Sequence, residues 1–201
     1  MGGGKVFISY RRGRDSDSAG RLHDRLERVF GREQLFYDID SIPPGVDFHH
    51  YLDQQVAQCA ACLVVIGEGW LEQIDRLHDE DDFVRIEIAA ALRRDGVRVI
   101  PVLVQGATMP KRAMLPDPVQ PLSRRNAVEV PYAHFAAVVD GRVASAIREA
   151  FAEADSRLFD DDGSRSQVGG RVFSSRKLVR RAIPQLAFSR APRTERRGHH
   201  R

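Results

Sequence analysis

Long apolar runs are missing from this 201-residue chain. No stretch approaches the roughly 20 residues that a membrane-spanning helix needs, so no spanning segment is expected. The opening Met1-Gly2-Gly3-Gly4 lacks the basic start, apolar centre and small-residue cleavage site of a secretory leader, and the sequence predicts cytoplasmic residence. Cysteine is scarce: Cys59 and Cys62 have the spacing of half a zinc site, but no second pair and no paired histidine supplies the rest, so no metal is expected. A redox role would put the first cysteine at a helix start, where the dipole lowers its pKa; here both lie where a helix runs into a strand, as small buried apolar residues. A GxGxxG fingerprint is absent, which removes an ordinary Rossmann dehydrogenase.

Charge is unevenly spread. Residues 163–201 contain 11 Lys or Arg against one Glu, so the overall +3 divides into +10 there and −7 over the first 162 residues. The sequence changes character at the same place: Asp160-Asp161-Asp162-Gly163-Ser164 gives way to Ser, Gly and Arg without sustained apolar period. A folded domain over residues 4–155 and a basic, flexible tail over 156–201 are predicted. Arg176-Lys177, Arg180-Arg181 and Arg196-Arg197, interleaved with Val172, Phe173, Leu178, Val179, Ile183, Leu186 and Phe188, leave three partners open for that tail: an acidic protein, nucleic acid or an anionic membrane surface.

What the first part does contain is alternation. Lys5–Tyr10 reads as a strand, and residues 15–30 follow as a helix with Ala19, Leu22, Leu26, Val29 and Phe30 on one face, stopped by Gly31. Further strands are predicted at 34–37, 61–66, 97–104 and 126–130, and further helices at 47–58, 83–94 and 135–151. Continuous Val/Ile/Leu strands alternating with crossover helices belong to parallel sheets covered on both faces. The fold class is a doubly wound α/β domain.

Ligands of such sheets gather at the carboxyl ends of the strands. That edge carries Ser9-Tyr10-Arg11-Arg12-Gly13-Arg14-Asp15, then Asp38-Ile39-Asp40-Ser41-Ile42-Pro43-Pro44-Gly45, then Gly67-Glu68-Gly69-Trp70, with Glu87 on the helix that follows. Ser9 and Tyr10 either contact a ribose or base or merely close the strand. Arg11, Arg12 and Arg14 either meet a phosphate, whose geometry a guanidinium matches, or solubilise a loop. Trp70 is either a pocket wall for a flat ring or a core residue. Asp15 is read as the N-cap of the first helix, and Asp38 as a strand-end residue within reach of a ligand. Pro43, Pro44 and Gly45 shape a stiff turn that either exposes Ile42 for assembly or buries it. Without family context, Glu87 reads as a solvated helix carboxylate beside Arg85 or Arg94, set off from the helix's apolar face.

The ordered set Phe7-Ile8-Ser9-Tyr10, Phe36-Tyr37-Asp38, Ile42-Pro43-Pro44-Gly45, Trp70 with Arg85-Ile86-Glu87-Ile88, and Val99-Ile100-Pro101-Val102-Leu103-Val104 resembles the bacterial form of the Toll/interleukin-1 receptor (TIR) domain over residues 4–153. The resemblance implies a flavodoxin-like sheet of five parallel strands, and either of two activities, since the family holds NAD+-cleaving enzymes and pure assembly modules. In the enzymes a Glu on the helix after the third strand is catalytic, which Glu87 matches. Ser9, Tyr10, Arg11, Arg12, Asp38 and Trp70 become candidate substrate-binding residues. Ile42, Pro43, Pro44 and Gly45 become the loop that packs one TIR domain against another. NAD+ would be substrate rather than cofactor, a downstream effector is a possible further partner, and bacterial relatives often serve in phage defence or in interference with host signalling. The approach from Leu71 to Asp82 is longer and more acidic than in many members.

Chemistry favours the same residue. Nicotinamide leaves ribose as a neutral molecule from a cationic ring, so the leaving group needs no protonation and the paired acid of an ordinary glycosidase is dispensable. One carboxylate suffices to stabilise the oxocarbenium-like charge, and water or an internal nucleophile would then give ADP-ribose or a cyclic isomer. Other proteins of this fold fit less well. A response-regulator receiver needs an Asp closing the third strand, where this chain has Leu63-Val64-Val65-Ile66-Gly67, and a redox flavoprotein would want Ser and Thr rather than Arg after the first. The remaining alternative is a non-catalytic scaffold working through TIR–TIR contacts.

Overall fold

The structure, a computed structural model, describes residues 4–36 and 45–164. Five strands, β1 (Lys5–Tyr10), β2 (Leu35–Phe36), β3 (Cys59–Ile66), β4 (Arg98–Val104) and β5 (Val128–Val130), form one sheet in the order β2-β1-β3-β4-β5. Every pairing is parallel. This is the flavodoxin-like order, and the chain reverses direction across the sheet between β1 and β3. β3 lies at the centre with all eight residues buried, which is why Cys-Ala-Ala-Cys-Leu-Val-Val-Ile contains no polar side chain beyond its thiols. The reading of Cys59 and Cys62 as buried small residues agrees with this, although both sit inside β3 rather than at a helix end.

Strand alternation divides the core in two. Val6 and Ile8 of β1 pack with Ala61, Leu63 and Val65 of β3 beneath Ala19, Leu22 and Leu26 of α1 (Ser16–Phe30) and Val143, Ile147 and Ala150 of the carboxyl-terminal helix. Phe7, Cys62, Val64 and Ile66 point the other way, under Leu52 and Val56 of α2 (Phe48–Ala57), Trp70 of α3 (Glu68–Glu72) and Val84 and Ile88 of α4 (Phe83–Leu92). Ser9 shares the parity of Phe7 and so faces α4. This parity places the site.

The closing helix differs from its expected 135–151. It forms as α5 (Phe135–Val138), a π-helical turn at Val139–Val143 and α6 (Ala144–Ser164), so helical backbone passes the predicted boundary at Asp155. The buried apolar face ends near Ala150 and Phe151 while the backbone ladder continues through the largely exposed residues 152–157, about which an apolar period is silent. The π-turn holds Asp140, which accepts from Arg25 Nε of α1 at 2.7 Å. Of the predicted second strand, Tyr37 falls outside the described residues, as do Asp38, Ile42, Pro43, Pro44 and the basic tail from 165 onward. Gly45 is described, with φ at +83°, a conformation suited to glycine. Among the described residues no helix is long and apolar enough to cross a membrane.

Candidate functional site

Glu87 is not the solvated residue its helix pattern suggests. On α4 it shares the inward face with Val84, Ile88 and Ala91 and is only 3% exposed. Ser9 Oγ, at the end of β1, donates to Glu87 Oε2 at 2.6 Å. Burial pushes the carboxyl up to about 8, the Ser9 hydrogen bond opposes that rise, the Asp82 charge adds to it, and Arg11 and Arg12 oppose it. A buried acid with one hydroxyl partner, on the wall of a cleft at the carboxyl edge of a parallel sheet, is where perturbed titration and function coincide.

That cleft has a volume of about 390 Å³ and is lined by Tyr10, Arg11, Arg12, Arg76, Asp82, Phe83, Val84 and Glu87. Its size lies in the lower part of the ~300–1,000 Å³ range of small-molecule sites. Four of the predicted residues therefore meet on one wall: Tyr10, Arg11, Arg12 and Glu87, with Ser9 directly behind the last.

Arg11 takes a different part from the exposed phosphate ligand suggested by its loop. It continues the Phe7–Ser9 parity inward, is 4% exposed, and grips Asp82 with both terminal nitrogens, Nη1 to Oδ2 at 2.5 Å and Nη2 to Oδ1 at 3.2 Å. Asp82 in turn caps α4, accepting the Arg85 backbone N–H at 3.0 Å. Arg12 remains exposed at the rim. Arg14 ion-pairs with Glu68, at 2.6 Å, and with Glu72, away from the cleft.

Trp70 requires a correction. It is fully buried in the core beside the sheet and is absent from the cleft wall. The reason lies in α3, which is a single short turn folded down onto the sheet, so its apolar side chain is drawn into the core. The exposed aromatic at the cleft is instead Phe83, 52% exposed, at the first position of α4. Asp82, Phe83 and Arg76 escaped the sequence reading because they are embedded in an acidic run; the available signal was an Asp immediately before an apolar helical segment, the usual mark of an N-cap.

Asp15 is also redirected. It stands at the N-cap position of α1, but its side chain caps α3 instead: Oδ1 accepts Gly69 N–H at 3.1 Å and Oδ2 accepts Trp70 N–H at 2.6 Å. The contact is close enough that a Cβ on Gly67 would lie 2.2 Å from Asp15 Oδ1. The crevice between β1 and β3, where proteins of this topology gather anions, is thus filled by the protein's own carboxylate. Burial raises the Asp15 pKa, and the two amides oppose that rise.

Elsewhere, His23, Asp24 and Glu27 of α1 bring ligand atoms within 4.8 Å of one another, but they are half-buried or exposed, and exposed acidic groups commonly cluster without an ion. A larger cavity of about 620 Å³ opens at the opposite, amino-terminal edge of the sheet around Gly4, Cys59, Gly96 and Arg157. Burial pushes the Cys59 thiol there up to about 12, which leaves it unreactive.

A family profile described as TIR domain matches residues 6–139. Among solved structures, a metazoan TIR-STING receptor from C. gigas, in complex with 2',3'-cGAMP, is 19% identical with a TM-score of 0.46, covering 67% of this chain and 38% of that one. The TIR domains of the activated Roq1 resistosome, which directly recognises the pathogen effector XopQ, are 16% identical with a TM-score of 0.43, covering 75% and 82%. A prokaryotic SEFIR domain is 16% identical with a TM-score of 0.48, covering 74% and 92%. The chain thus spans well under half of the receptor it matches and most of the other two. No curated protein gives a significant match.

Proposed function

The chain belongs to the TIR-domain family, and on that premise we propose that its cleft binds NAD+ and cleaves the bond between nicotinamide and ribose. The observation that carries this reading is the burial of Glu87 on the cleft wall, hydrogen-bonded to Ser9. A residue that served only assembly would have no reason to bury an ionisable carboxyl on a cleft wall with one hydroxyl partner.

The chemistry follows from the charge. At neutral pH the resting Glu87 keeps its proton, because its pKa stands near 8. Nicotinamide in NAD+ is a cationic ring; placed beside Glu87 it favours the carboxylate, so substrate entry ionises the group that acts on it. As the glycosidic bond lengthens, positive charge moves from the ring to the anomeric carbon, and the fixed carboxylate in a water-poor cleft stabilises it more strongly in the transition state than in the ground state. Ser9 holds the carboxylate in place. Neutral nicotinamide departs, and capture of the carbon by water or by the adenosine portion gives ADP-ribose or a cyclic isomer. Arg12 and Arg76 stand at the rim, suited to the pyrophosphate. NAD+ is consumed as substrate, with no separate cofactor, in a signalling or defence setting inside the cell.

The second reading is an assembly module without turnover. It is favoured by the small volume of the cleft and the protonated resting state of Glu87, both of which leave a single chain poorly prepared for a dinucleotide. The two readings join if contact between TIR domains through the Ile42-Pro43-Pro44-Gly45 loop completes the site. The test is chromatography of NAD+ incubated with wild type and Glu87→Ala from nanomolar to micromolar protein. Nicotinamide release by wild type alone, with specific activity rising with concentration and a loss of about 10³-fold or more in the variant, supports the enzyme. Intact NAD+ throughout supports the module.

A further inference from the structure

The Arg11–Asp82 pair is costly to bury, and α4 does not need it. Asp82 at 4% exposure and Arg11 at 4% exposure are out of water together, whereas capping α4 requires only one oxygen of Asp82 and would be served as well by an uncharged Asn. Beyond the cap, both carboxylate oxygens accept from the two terminal nitrogens of Arg11, a link from the end of β1 to the start of α4, and the exposed Arg76 Nε stands 3.6 Å from Oδ2. Those two elements carry Ser9 and Glu87, the two halves of the hydrogen bond at the cleft wall. Among the described residues Arg11 Nε is buried and without a hydrogen-bond partner, and the guanidinium is held there by Asp82.

We infer that Asp82 is the positioning residue of this cleft: by clamping Arg11 across the β1–α4 junction it fixes the separation of Ser9 from Glu87 and balances the cation that would otherwise face Glu87 unopposed. Among the described residues, the groups facing Glu87 come from four places. From β1 and the turn after it come Ser9, Tyr10, Arg11 and Arg12; from β3 comes Cys62, whose thiol is raised by burial and by the charge of Glu87; from Ile74–His78 comes Arg76; at the N-cap of α4 lies Asp82. Arg11 and Asp82 are the buried charged members of that set, so each is the main control on the other's influence. Removing Asp82 leaves Arg11 to favour the Glu87 carboxylate; removing Arg11 leaves Asp82 to oppose it.

The inference rests on Glu87 being the reacting carboxylate, but its test does not. In the full chain, Glu87 is titrated by carboxyl ¹³C NMR in wild type, Asp82→Asn and Arg11→Gln, with nicotinamide release from NAD+ measured in parallel. Asn keeps the cap. The expected result is a Glu87 midpoint about one pH unit lower in Asp82→Asn and about one unit higher in Arg11→Gln, with restoration toward wild type when the two are combined. Turnover in Asp82→Asn falls about tenfold in kcat with KM little changed, since orientation rather than affinity is lost. A merely structural role predicts lower stability without opposite shifts, and an unmoved Glu87 midpoint in either folded variant overturns the inference. Because the two shifts differ in sign, either variant decides the matter if the other does not fold. Opposite shifts without NAD+ cleavage by any protein would sink the enzyme reading and leave the clamp standing; cleavage with unmoved midpoints would do the reverse.

Discussion

The two ends of the parallel sheet hold cavities of opposite character. At the amino edge the space is the larger, about 620 Å³, yet the charged groups lining it stand at or near the surface: Arg157, Asp95 and Asp155 are exposed, and Arg94 pairs at 2.6 Å with the half-exposed Asp53. At the carboxyl edge the space is about 390 Å³, and its walls bring Arg11, Asp82 and Glu87 nearly out of water. Volume and buried charge point to different ends. A void at the surface costs little and arises wherever helices splay, whereas buried charge is retained only against a steep desolvation penalty, which is why the carboxyl edge is the candidate site.

Removing Trp70 tests how far the carboxyl edge depends on the core beneath it. Trp70→Ala is expected to cost about 3–5 kcal/mol in denaturant unfolding, because a fully buried indole is lost; a cost below about 1 kcal/mol would mean that the residue is not core and would return it to the cleft.

Glu87→Gln separates the ends by pH. The folded Glu87 pKa lies above its ordinary 4.5, so between 4.5 and about 8 the folded chain keeps a proton that the unfolded chain has released. Stability therefore falls as pH rises through that window, is free of this penalty below it, and carries the full penalty above it. The Gln variant should lose that slope, and urea midpoints at pH 5 and pH 8.5 would show it. In the same frame kcat/KM for NAD+ should rise with pH to a midpoint near 8. A flat stability difference between wild type and variant would contradict the buried acid.

Phe83→Ala is a smaller change. Loss of one exposed ring at the cleft mouth should raise KM for NAD+ roughly three- to tenfold with stability unchanged, from the ~0.5–1.5 kcal/mol of an aromatic contact; equal KM values would remove Phe83 from the ligand. Arg157→Ala at the amino edge is the control, expected within about 0.5 kcal/mol of wild type in stability and unchanged in turnover. A loss of activity there would break the contrast between the two ends.

The sheet was largely readable because β1, β3 and β4 are buried runs whose composition leaves few alternatives. The end of α6 was not, since residues 152–157 are largely exposed and an apolar period is silent about them. At the cleft, Glu87 and the Ser9–Arg12 turn could be singled out from motif and position, but not the burial of Glu87. Its neighbours Val84, Ile88 and Ala91 did carry that information, because a residue three after one apolar position and four before another lies on their face. Trp70 lies in the core, and Phe83 rather than Trp70 at the cleft mouth, for a reason outside local sequence: α3 is a single short turn packed down on the sheet. Asp15 shows the same limit, a capping residue whose cap lies 54 residues away.

That distant cap has a mechanical meaning. By accepting two amides of α3, Asp15 closes a non-covalent ring in the chain from residue 15 to residues 69 and 70, and the Ile42–Gly45 segment belongs to the span so enclosed. Both ends of the ring are riveted to the rigid edge of the sheet, one after β1 and the other after β3. Opening of that link would release the amides of Gly69 and Trp70 together, so their solvent exchange reports whether the ring is closed.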